Sequence, residues 1–156
     1  MSEKTVYLDN NATTMVDPQV FEAMKPYFCD LYGNPSSMHE FGGQVMHAVD
    51  KAREQVKDFL GARDAKEIIF TASGSEGDNM AIRGVLEANK NKKHIITTKI
   101  EHPAVLNVYK YLEKQGYDVT YLDVDSKGNL DLNQLAESIT DETALVSIMY
   151  ANNETG

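Results

Sequence analysis

The chain has a single cysteine, Cys29, among its 156 residues, so no disulfide can form within it. A lone thiol suits a reducing compartment, and a cytoplasmic location is expected. No apolar run approaches the roughly 20 residues of a membrane-spanning helix, so no membrane partner is expected. The opening Met1-Ser2-Glu3-Lys4 lacks the apolar core of a secretory signal. Without such a signal, Asn11-Ala12-Thr13 and Asn153-Glu154-Thr155 match the glycosylation pattern by chance. Basic residues are also in deficit, 15 Lys and Arg against 24 Asp and Glu, for a formal charge of −9. They are scattered, whereas a nucleic-acid surface needs them clustered. The densest run, Lys90-Asn91-Lys92-Lys93, reads as a solvated loop. A small anion stays possible, because backbone N–H groups can hold a phosphate whatever the net charge.

What is present is ordinary globular material. Hydrophobic residues make up 42% and charged residues 25%, enough to build a core without disulfides or metal. Asp17-Pro18 reads as an N-cap with proline at the first helical position. Val20, Phe21, Met24 and Phe28 then supply an apolar face, and Cys29 is expected to follow that helix as a structural thiol. Gly33-Asn34-Pro35-Ser36-Ser37 is a loop by its turn chemistry. Helical spacing of Phe41, Val45, Ala48, Val49, Ala52, Val56, Phe59 and Leu60 predicts a long helix over 38–60, stopped by Gly61.

From Glu67 onward the texture alternates. Strands are predicted at 67–71, 94–98, 119–122 and 144–150, with helices at 75–89, 103–115 and 131–139. Tyr7-Leu8 reads as a further short strand. The β-α-β-α-β-α-β order predicts an α/β fold, a mainly parallel sheet with helices on both faces. The expected division is 1–60 as an N-terminal segment with the long helix, and 61–156 as an incomplete large domain. In open sheets of this kind ligands sit beyond the carboxyl ends of the strands.

Three segments occupy such positions. Thr71-Ala72-Ser73-Gly74-Ser75-Glu76-Gly77 leads into a helix. Small residues and free N–H groups there fit either a phosphate cradle or an ordinary capped turn. It is neither a Walker loop nor a dinucleotide fingerprint. His102, in Lys99-Ile100-Glu101-His102-Pro103, could stack on an aromatic ligand and exchange protons; taken alone it reads sooner as a capping or structural histidine. Asn152 and Asn153 offer uncharged donors and acceptors, or simply a polar turn. Their common edge strengthens the functional reading of all three. No metal site is expected: His39, His47 and His94 lack ligand spacing. In Asp123-Val124-Asp125-Ser126-Lys127-Gly128, Lys127 fills a ligand position and Gln134 stands where a calcium loop needs Glu, so this is a turn.

Tyr7-Leu8-Asp9-Asn10-Asn11-Ala12-Thr13-Thr14, Gly33-Asn34-Pro35-Ser36-Ser37 with His39, Glu101-His102-Pro103-Ala104-Val105 and Asn152-Asn153-Glu154-Thr155-Gly156 together resemble the cysteine desulfurases. These belong to the class V aminotransferase group of fold-type I pyridoxal 5'-phosphate (PLP) enzymes. The resemblance runs from about residue 6 to the end. It implies that Ser73, Gly74 and Ser75 cup the PLP phosphate and that His102 stacks on the ring and moves protons. It implies that Asn153 bonds the ring hydroxyl near the substrate carboxylate, and that Ala12 and Thr13 border the substrate. The family commonly has Gly-Ala-Thr-Glu-Ser where this chain has Ser73-Gly74-Ser75-Glu76-Gly77. Ser75 can replace the threonine hydroxyl, but Gly77 cannot replace the serine.

The resemblance further implies a homodimer acting on L-cysteine. The products are L-alanine and enzyme-bound persulfide sulfur, which an acceptor protein takes for iron–sulfur cluster or thio-cofactor assembly. The family's Schiff-base lysine, its persulfide cysteine, the aspartate on the pyridine nitrogen and the substrate-binding arginine lie beyond residue 156. Lys99 stands in no matching motif. The chain is therefore expected to be an N-terminal fragment, inactive alone and completed by the remainder of its own chain. The alternatives are a selenocysteine lyase or other class V enzyme, and a non-catalytic module that pairs with a desulfurase subunit.

Overall fold

The computed structural model describes residues 6–156, so the sequence reading of Met1-Ser2-Glu3-Lys4 lies outside the described residues. The chain divides into two compact units, Met1–Phe70 and Thr71–Gly156.

In the first unit, α1 (Pro18–Met24) begins as the sequence predicts, with the Asp17 carboxylate accepting from the Gln19 N–H at 2.7 Å. Pro26 then starts a separate short helix, α2 (Pro26–Cys29), because a proline lacks the N–H that would continue α1. Cys29 therefore ends a helix of its own instead of following α1, and it is exposed. Residues 6–9 are irregular, so the strand expected at Tyr7-Leu8 does not form.

The long helix α3 (Glu40–Leu60) is capped by His39, whose Nδ1 accepts from the Gly42 N–H at 3.3 Å. It ends at Gly61 in the left-handed conformation, φ 69°, as a C′ glycine does. Gly42 is the buried residue of this helix, and the carbonyls of Asn34 and Ser37 lie against it. The loop around Pro35 is thus folded over the first turn of α3.

The strand expected at 67–71 is absent. A 3-10 turn, Ala65–Glu67, precedes extended but unpaired backbone, and Ile69 and Phe70 are largely exposed. Residue type supplies β propensity, but a strand exists only where a neighbour completes its ladder. Among the described residues none does.

The second unit is the α/β body. It runs α4 (Gly74–Ala88), β1 (His94–Thr98), α5 (Pro103–Lys114), β2 (Asp118–Leu122), α6 (Leu132–Ser138) and β3 (Thr143–Ser147). The strands form a parallel sheet in the order β2-β1-β3. β1, central and buried at all five positions, is flanked on both sides. The chain steps from β1 to β2 and then back across β1 to β3. Two right-handed crossovers in opposite directions put α5 and α6 on opposite faces. Packing agrees: Val105, Val108, Tyr109 and Leu112 of α5 join Ile82 and Leu86 of α4 against Ile95. Leu132 of α6 shares a cavity with Thr98 on the other side. His94 pins the three strands together, Nδ1 lying 2.8 Å from Thr143 Oγ1 and Nε2 lying 2.9 Å from Thr120 Oγ1.

Candidate functional site

The order β2-β1-β3 fixes where a ligand can enter. β1 connects to β2 on one side and the chain then returns across β1 to β3 on the other, and in open sheets of this kind ligands bind beyond the carboxyl ends of the strands. The segments 99–102 and 148–156 follow β1 and β3 at that end.

Two side chains stitch these segments together. Glu101 is buried, and its Oε1 accepts from Thr98 Oγ1 at 2.9 Å and from the Met149 N–H at 2.8 Å. Asn152 donates from Nδ2 to the Ile100 carbonyl at 3.0 Å, while its Oδ1 accepts from the N–H groups of Glu154 and Thr155 at 2.8 and 3.0 Å. The sequence alone singles out neither role: Glu101 stands there as part of a motif and Asn152 as half of a polar pair. Their partners lie 48 and 52 residues away along the chain.

His102 is the N-cap of α5. Its Nδ1 accepts from the Ala104 N–H at 3.1 Å, and Pro103 occupies the first helical position. In the neutral ring the proton then sits on Nε2. The imidazole is exposed at the rim. The capping role expected for a lone histidine is thus real, and it leaves the second nitrogen available. Asn153 is exposed too, donating to Glu154 Oε1 at 3.0 Å.

The 71–77 segment comes to the same rim. Ser73 caps α4, its Oγ accepting from the Glu76 N–H at 3.2 Å, and the Glu76 carboxylate returns to the Ala72 N–H at 2.6 Å. This reciprocal pair is close to a capping box. It leaves the N–H groups of Gly74 and Ser75 without a hydrogen bond among the described residues. A Cβ built on Gly74 would meet nothing within 4 Å, so the loop is open to an approaching group. A Cβ on Gly77 would lie 3.5 Å from Thr71 Oγ1, an ordinary contact, so the space there does not demand glycine. Ser75 lines a groove of about 370 Å³ with Pro103 and Ala104, which sets the start of α4 beside the start of α5.

The donor set fits PLP. Two unengaged backbone N–H groups and two hydroxyls at a helix start suit a dianionic phosphate, an exposed imidazole suits an aromatic ring, and a primary amide suits a phenolic oxygen.

Other residues fall elsewhere. Lys99 Nζ is held 2.7 Å from Asp123 Oδ1, at the end of β2. The turn expected at 123–128 forms around Asp125. Its carboxylate takes the N–H groups of Lys127 and Asn129 and the Asn129 side chain, and the last of these, foremost, holds the carboxyl below its usual range. Tyr109, beneath the rim, is fully buried, and that burial pushes its phenol up to about 12. Ala12 and Thr13 belong to the first unit, where both N–H groups turn back to the Asp9 carbonyl at 3.2 and 3.4 Å. No helix among the described residues is long and apolar enough to cross a membrane.

Comparison with known proteins agrees with this architecture. A cysteine desulfurase from a Nostoc species is 66% identical over 151 residues, covering 97% of this chain and 38% of the relative. A solved NifS-like protein superposes with a TM-score of 0.90 at 46% identity, over 95% of this chain and 41% of that one. A structure of SspA in complex with cysteine gives a TM-score of 0.88 at 41% identity, over 96% of this chain and 43% of that one. The chain thus spans about two-fifths of the length of these relatives. The profile of the aminotransferase class-V family runs through residues 6–156, across both units and every rim segment, and this chain belongs to that family.

Proposed function

We propose that this chain carries the phosphate-, ring- and proton-handling part of a PLP-dependent cysteine desulfurase. The observation that supports this most is the 66% identity to a cysteine desulfurase over 97% of the chain. The donor set at the rim of the parallel sheet is consistent with it. When bound, PLP supplies the electron sink that makes bonds at the substrate's α and β carbons labile.

The chain's own groups have the following parts. The N–H groups of Gly74 and Ser75, with the hydroxyls of Ser73 and Ser75, hold the phosphate, aided by the positive end of α4. His102 would hold the cofactor ring, and its Nε2 would hold and pass a proton in the reaction. Asn153 orients the ring hydroxyl and the substrate carboxylate. The part of Ala12 and Thr13 in bordering the substrate rests on the family resemblance alone. Sulfur moves from L-cysteine to a thiolate, so that cysteine and a thiol become alanine and a persulfide. The amine that anchors PLP and the thiolate that accepts sulfur come from outside these residues. A cytoplasmic homodimer, delivering sulfur to an acceptor protein for iron–sulfur or thio-cofactor assembly, completes the proposal.

The test is alanine release from L-cysteine in the presence of PLP. The full-length protein containing this segment should release alanine, and the 156-residue chain alone should not. Steady turnover by the short chain would refute the division of labour. Absence of turnover from L-cysteine in the full-length protein would refute the desulfurase assignment.

A further inference from the structure

Resting on the desulfurase reading, we propose that Glu101 is a positioning residue: its carboxylate clasps the loop that carries His102 to the loop that carries Asn153. Neither proposed cofactor-binding group is part of a strand. Each stands on irregular backbone a few residues past a strand end, where nothing in the sheet ladder fixes the separation. The Glu101 Oε1 closes that gap, receiving one hydrogen bond from Thr98 on its own side and one from the Met149 backbone on the other, at 2.9 and 2.8 Å. Burial makes the clasp stiff, because a carboxylate out of water keeps its partners. Asn152 adds a second, parallel tie to the Ile100 carbonyl. Together they hold the imidazole and the amide at one spacing before any ligand arrives.

The geometry also predicts which replacement works. Both hydrogen bonds end on one oxygen, which accepts and never donates. The amide oxygen of Glu101→Gln can accept the same pair, while Glu101→Ala leaves the Met149 N–H and the Thr98 hydroxyl without an acceptor.

The experiment uses the full-length protein, with two readouts. In the apo protein, amide hydrogen exchange is followed over 99–102 and 148–153. In the PLP-loaded protein, kcat and KM for alanine release are measured with the visible circular dichroism of the cofactor. Glu101→Ala should exchange faster in both segments, lower kcat by about 10- to 100-fold, as loss of alignment does, and change the dichroism. Glu101→Gln should restore all three. A purely structural role would lower the unfolding temperature and leave kcat per folded, loaded enzyme intact; that result overturns the proposal. So does a Glu101→Gln variant as impaired as Glu101→Ala, since charge and not geometry would then matter. Should Glu101→Ala not fold, Thr98→Val removes one of the two donors at constant shape. It should raise exchange at 99–102 and lower kcat severalfold, and no change in either overturns the clasp. If the unmutated protein makes no alanine from cysteine, the desulfurase reading falls, and the apo exchange comparison alone decides the clasp.

Discussion

Replacing His94 with leucine tests the claim that one side chain pins the sheet. His94 is buried at the start of the central strand, and its two ring nitrogens reach hydroxyls on the two neighbouring strands, Thr143 at 2.8 Å and Thr120 at 2.9 Å. Leucine keeps most of the volume and removes both hydrogen bonds. A buried hydrogen bond contributes about 1 kcal/mol net, so the loss is about 2 kcal/mol. The two ends differ. Thr143 Oγ1 keeps the Thr140 N–H at 2.8 Å, while Thr120 Oγ1 has no other hydrogen bond among the described residues. Most of the penalty should therefore sit on the β2 side. Exchange of the amides of β1, central and buried throughout, reads the change as an acceleration of about 30-fold for 2 kcal/mol. A double-mutant cycle with Thr120→Val should show a coupling of about 1 kcal/mol. An acceleration under about twofold for His94→Leu, or strict additivity with Thr120→Val, would refute the pin.

Tyr109 gives an alkaline prediction. Its folded pKa stands at about 12 against 10.0 for a free phenol, so the folded state holds its proton more tightly than the unfolded chain. The resulting stability is complete below pH 10 and is lost as pH rises toward about 12, a drop of order 2–3 kcal/mol across that window. Urea titrations of the wild type and Tyr109→Phe over this range should diverge in slope, and parallel curves would contradict it. Two neighbouring glycines of α3 should respond with opposite signs. A Cβ at Gly42 would clash with the Ser37 carbonyl oxygen, so Gly42→Ala should loosen the 33–39 loop by about 1–3 kcal/mol. Gly43 meets nothing within 4 Å, and Gly43→Ala should stabilise the helix by about 0.5–1 kcal/mol. Limited proteolysis of the loop and thermal melts check both, and equal effects would remove the steric argument.

Sequence and structure divide along the range of the interactions. Helix ends are legible in the sequence, because Asp17, His102 with Pro103, and Gly61 act on donors and acceptors within a turn of themselves. The parallel α/β class is legible as well, and so is the edge for 99–102 and 148–156, which follow β1 and β3; for 71–77 the inference from a preceding strand fails, because that strand does not form. The tertiary structure decided whatever needs a distant partner. Residues 67–71 have strand-forming side chains and form no strand, for want of a neighbour among the described residues. The central place of β1 follows from the pairing, not from apolar content: its His-Ile-Ile-Thr-Thr is no more apolar than the Thr-Ala-Leu-Val-Ser of β3. The hold of Glu101 on Met149 and of Asn152 on Ile100 spans some fifty residues, and no local pattern encodes a contact that only the folded sheet brings within 3 Å.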